Sequence, residues 1–107
     1  MISTLLLAAI MLNLTVMPVM AKPNTITVVV KDVDHKPVNN AHVYIYVTGP
    51  DGSTSTDLYE GTRGKYVFTF DDGKDYATYY VMVNGQYAVP SAYLSNQDSA
   101  RVRYVLP

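Results

Sequence analysis

The chain has 107 residues, with no cysteine, no tryptophan and no charged residue before Lys22. The lack of cysteine excludes the disulfide staples that most small secreted domains lean on, so the core has to suffice unless oligomerisation or binding helps. It also means that any zinc site would need both histidines together with carboxylates. The lack of tryptophan removes the ring on which carbohydrate sites most often stack a sugar. Charge is scarce and balanced: eight Lys and Arg against nine Asp and Glu, net −1. A chain so balanced carries no overall electrostatic footprint for nucleic acid or anionic lipid. There is no internal repeat, no low-complexity tract and, beyond the N-terminal stretch, no helical periodicity.

Where charge is missing, the sequence is apolar. Residues 2–19 center on LLLAAIML, and Val19-Met20-Ala21 puts small residues at the positions that signal peptidase reads. Residues 1–21 therefore read as a cleavable signal peptide and 22–107 as a single domain. The expected location is secreted or extracytoplasmic, in a periplasm or at a cell surface. If the segment were retained, it would anchor the protein to a membrane; Pro18, Asn13 and Thr15 argue against a stable membrane helix.

In place of tryptophan there are ten tyrosines and two phenylalanines. A tyrosine keeps one polar end, which suits rings standing on a surface or interface. Period-2 alternation runs through the domain. Ile26, Val28 and Val30 alternate with Thr27, Val29 and Lys31, and Val43, Ile45 and Val47 alternate with His42, Tyr44 and Tyr46. Each set shares one face of a half-buried strand. The two runs, joined by the Asp-, Pro- and Asn-containing segment 32–40, read as a strand pair with one apolar face. Gly49-Pro50-Asp51-Gly52-Ser53 is a dense turn signal, and the Ser/Thr-rich 54–60 fits a short edge strand. Further strands are expected at 65–70, at 75–83 and, after the Asn84-Gly85 hairpin signal, at 87–94. Pro90 implies an edge, a bulge or a break. The last strand is 100–106. Seven short strands with regularly spaced turns predict an all-β, seven-stranded antiparallel β-sandwich.

Two stretches carry a family resemblance. The first, from Val28, reads V-x-V-K-D-x-x-x-K-P-V-x-x-A-x-V-x-I. The second reads G-K-Y-x-F from Gly64 and Y-x-V-x-V-x-G-x-Y from Tyr79. Together they resemble the carboxypeptidase regulatory-like domain, a sandwich of the transthyretin-like (prealbumin-like), broadly Ig-like type. His35 stands where that family usually has glycine before Lys-Pro, and Asn40 where a glycine often precedes the alanine. Both residue types tolerate positive φ. The resemblance implies an accessory, structural or binding module without catalysis of its own. The hydroxyisourate hydrolases have a similar fold but need a first-strand histidine and a Tyr-Arg-Gly-Ser terminus. Here those places hold Val28-Val29-Val30 and Tyr104-Val105-Leu106-Pro107.

Other chemistry is weakly signalled. Gly-x-Ser-x-Gly does not occur. Asp32 and Asp34 fall in one turn and Asp71, Asp72 and Asp75 in another, at opposite ends of a sandwich and without the spacing of a calcium loop. Lys31, the only lysine on the first strand, has the outward parity, which argues against the isopeptide cross-link of collagen-adhesin B-type repeats. No cofactor and no metal are expected. The residues expected to carry function are outward-facing: Tyr44 and Tyr46 on the second strand, Tyr80 and Met82 on the fifth, and Arg101 and Arg103 on the last. These are residue types enriched in interfaces. The expected role is protein association or a structural extracellular part, with a glycan as the alternative ligand and a small hydrolase a remote third.

Overall fold

A computed structural model describes residues 24–94 and 99–107. The expected signal peptide and its expected cleavage point lie outside the described residues. Seven strands form, in the order β1 (Asn24–Lys31), β2 (Val43–Gly49), β3 (Gly52–Leu58), β4 (Lys65–Phe70), β5 (Thr78–Val83), β6 (Gln86–Tyr93) and β7 (Ser99–Val105). No described residue is helical. The strands make two sheets, one ordered β4-β1-β7 and the other β3-β2-β5-β6.

Alternation decides what each strand buries. Ile26, Val28 and Val30 of β1 are fully buried, as are Val43, Ile45 and Val47 of β2 and Val81 and Val83 of β5. Tyr66, Phe68 and Phe70 of β4 and Val102 of β7 join the same core. The two sheets therefore share one apolar interior, a β-sandwich, with β1 central in one sheet and β2 and β5 central in the other. Each buried aliphatic side chain contributes about 1.5–3 kcal/mol. That sum has to hold a domain without disulfides.

Two expectations need correcting. β1 and β2 do not pair as a hairpin. They belong to opposite sheets, and their apolar sets face each other across the core. Segment 32–42 is thus a crossover between sheets, and it is tied down accordingly. Asp32 closes its first turn by accepting N–H bonds from Asp34 (2.9 Å) and Lys36 (3.0 Å). Its far end is clamped by Tyr66, whose hydroxyl donates to the Val38 carbonyl (2.7 Å) and accepts from the Ala41 N–H (2.9 Å). Asn39 accepts from Gly61 N–H on its carbonyl and from Gly64 N–H on its side chain, at 2.9 and 2.7 Å.

The second correction concerns direction. β1–β4, β2–β3, β2–β5 and β5–β6 are antiparallel, but β7 runs parallel to β1, with Val28 opposite Val102. A parallel neighbour requires a long connection. Here it is the whole chain between them, because β7 enters the three-stranded sheet after β5 and β6 have completed the other one.

The turns follow their residues. Asn84-Gly85 takes φ of 50° and 81°, the left-handed pair of a tight hairpin. His35 adopts φ 63°, as its turn role required, whereas Asn40 does not have positive φ. Gly64, at φ 76°, has no room for a side chain: a Cβ would lie 2.7 Å from the Val30 carbonyl oxygen. β3 and β6 are the edges of the larger sheet, and β6 is bulged against β5 around Val89 and Pro90.

Candidate functional site: the two outer sheet faces

The outward residues of β2 and β5 lie in register. Tyr44 stands opposite Met82 and Tyr46 opposite Tyr80, while Met82 in turn faces Tyr87 of β6. These five side chains line a shallow groove of about 300 Å³ on the outer face of the four-stranded sheet. Tyr44, Tyr46, Tyr80 and Met82 are half-buried against one another, and Tyr87 is exposed. The rings of Tyr46 and Tyr80 are 5.6 Å apart and tilted by 53°, within the range of favourable aromatic pairs. The four residues expected on β2 and β5 are therefore one surface.

The groove has a polar border. On β3, Ser55 lies opposite Tyr46 and Asp57 opposite Tyr44. Farther along, the His42 ring stacks on Tyr59 at 4.3 Å and 5°, and His42 Nε2 lies 3.0 Å from Asp57 Oδ2. His42 is thus engaged by an aromatic ring and one carboxylate. Among the described residues, no three His, Cys, Asp or Glu side chains cluster as metal ligands would. Tyr93, exposed near the end of β6, pairs with Thr78 on the same outward side.

Tyr87 joins the groove without being among the expected residues, although its place follows from the turn before it. A two-residue Asn-Gly turn puts Val83 opposite Gln86, and the next step outward puts Met82 opposite Tyr87. The His42–Tyr59–Asp57 cluster was not legible, because nothing in the local pattern says that 42 and 57 are on paired strands.

Arg101 and Arg103 do project outward, yet from the other sheet. β7 borders β1, so both arginines sit on the outer face of β4-β1-β7, on the far side of the sandwich from the tyrosines. The six expected contact residues are thus two separate surfaces.

Among the described residues, the titrating groups that depart from their ordinary values are Asp72 and Tyr76, a pair that belongs to neither face. The Tyr76 hydroxyl donates to the Asp72 carboxylate. That bond holds Asp72 below its ordinary value of 3.8. Burial, followed by the bond to Asp72, pushes Tyr76 up to about 12.

No protein-family model matches the chain, and no curated protein is significantly similar to it.

Proposed function

We propose that this protein is a non-enzymatic, exported β-sandwich module that acts by protein association through the tyrosine face of its larger sheet. The observation that carries the reading is the groove of Tyr44, Tyr46, Tyr80, Met82 and Tyr87. It joins rigid aromatic rings and a methionine on one sheet face, the composition of an interface center, with a serine- and aspartate-bearing strand as its polar rim. β3 adds an exposed edge at Gly52–Leu58 on which a partner strand has room to pair. The seven strands in two sheets are consistent with the resemblance to a carboxypeptidase regulatory-like, transthyretin-like domain, whose implied role is that of an accessory part. The apolar leader supports export.

The test is sedimentation of the purified protein beside its Tyr44→Ser/Tyr46→Ser variant. The variant is expected to fold, by circular dichroism, and to associate more weakly by on the order of tenfold or more, since truncated hot-spot rings cost upwards of ~2 kcal/mol. A protein that stays monomeric, pulls down no protein partner and retains a specific glycan would replace this reading with a carbohydrate-binding one.

A further inference from the structure

The smaller sheet has an outer face of different chemistry. Lys31, Arg63, Lys65, Arg101 and Arg103, five of the eight lysines and arginines in the chain, line one recess of about 480 Å³. His35 also lines it, and among the described residues no carboxylate does. The register explains the convergence. Lys65 of β4 and Arg103 of β7 are both opposite Val29 of β1, so they flank it on either side. Strand spacing puts these two backbone positions about 10 Å apart, with Arg101 about 7 Å from Arg103 along β7. Val29 is 8% exposed although it faces outward, covered by its surroundings as the stems of long cationic side chains cover apolar floors.

None of these five cations forms an ion pair with a described residue. Among the described residues the one ion pair is His42–Asp57, on the opposite sheet. Asp32, next to Lys31 in sequence, has its carboxylate taken up by the N–H groups of Asp34 and Lys36. The small net charge of −1 thus conceals a segregated one. Protection of sheet edges against pairing explains cations on β4 and β7. It does not explain Lys31 on the central strand, nor Arg63 and His35 in turns.

We infer that this recess is a binding site for a compact, soluble polyanion bearing two or more phosphate or sulfate groups. Its volume falls within the roughly 300–1,000 Å³ of small-molecule sites. Paired arginines suit the forked recognition of tetrahedral oxyanions, and the lysines add point charges. A concave site favours a compact ligand over the plane of a membrane. The tyrosine groove takes no part, so this inference stands or falls independently of the proposed association.

The probe is inorganic tripolyphosphate, titrated calorimetrically into the protein at low ionic strength and again with added salt. Saturable one-to-one binding that weakens with salt is expected. Arg101→Thr/Arg103→Thr should weaken it on the order of a hundredfold, about tenfold for each arginine. Lys74→Thr, at the acidic end of the sandwich, should leave it unchanged. Both variants replace exposed side chains, and circular dichroism verifies their folding. No saturable binding at low salt, or equal losses in the two variants, would overturn the inference. Binding to phosphatidylserine-containing vesicles without binding of tripolyphosphate would overturn it in favour of a membrane surface.

Discussion

Tyr66→Phe isolates one hydroxyl that ties β4 to the crossover between the two sheets. The ring itself is fully buried under Gly61, where an added Cβ would lie 2.7 Å from Tyr66 Cζ, so phenylalanine keeps the packing. What disappears is the clamp on the crossover: a bond donated to the Val38 carbonyl and one accepted from the Ala41 N–H. Ala41 is 1% exposed, so its N–H gains no water in exchange, while the half-buried Val38 carbonyl recovers some. An orphaned buried polar group costs ~1–3 kcal/mol, which puts the substitution at about 2–4 kcal/mol in total. For a domain of this size that corresponds to a Tm lower by about 10–30 °C. Thermal unfolding followed by circular dichroism measures it, with Tyr59→Phe as the comparison. The Tyr59 hydroxyl has only a 3.4 Å contact with Asp57 at the surface and should change stability by less than ~0.5 kcal/mol. A Tm shift below ~3 °C for Tyr66→Phe, or equal shifts for the two variants, would refute the clamp.

Gly49→Ala should destabilise by about 3 kcal/mol or more in a denaturant titration, because the new Cβ would be 2.2 Å from the Asp75 carbonyl oxygen and backbone cannot step aside cheaply. Gly73→Ala, with open space around it and φ 77°, should cost only about 1 kcal/mol; equal losses would dismiss the steric argument. Asp72, through its bond to Tyr76, and Tyr76, through its burial and then that bond, set a pH response at both extremes. Asp72 is held below 3.8, so its contribution is present above that pH and is lost as pH falls through the folded-state value. Tyr76 is raised from 10.0 to about 12, so its contribution is complete below pH 10.0 and is lost as pH rises towards 12. Stability measured across pH 10–12 should therefore fall more steeply in the native protein than in Tyr76→Phe; superimposable curves would rule the pair out as the cause.

How far the fold was legible depends on which interactions set it. Strand positions come from alternation within a few residues, and Tyr66-Val67-Phe68-Thr69-Phe70 reads the same in the sequence and in the buried–exposed pattern of β4. The Asn84-Gly85 turn and the edge character of the Pro90 strand are local too. Sheet membership is not. Nothing between Lys31 and Val43 distinguishes a hairpin from a crossover, because both need polar turn residues. What decides is that β1 finds β4 and β7 as neighbours, with partners such as Lys65 for Val29 and Ser99 for Thr25 that lie far along the chain. The hydroxyl of Tyr66 reaching residues 38 and 41 belongs to the same class of non-local information.

The same gap explains the divided site. Parity correctly says that Tyr44, Tyr46, Tyr80, Met82, Arg101 and Arg103 all point away from the core. A sandwich, however, has two outsides, and parity cannot choose between them. Once β7 is placed parallel to β1, Arg101 and Arg103 leave the tyrosines and meet Lys31 and Lys65, from strands whose cations are spaced far apart in sequence. Net charge, summed over the chain, averages that face against the aspartates of the loops and hides it. Two outer faces of unlike chemistry, one aromatic and nearly uncharged, the other cationic, can be altered separately. Substitutions on β2 and those on β7 should therefore act additively on stability, since they share no partner across the core-filled distance between them. A measured coupling between Tyr46→Ser and Arg103→Thr above ~0.5 kcal/mol would show that the faces communicate through the sandwich and are not independent surfaces.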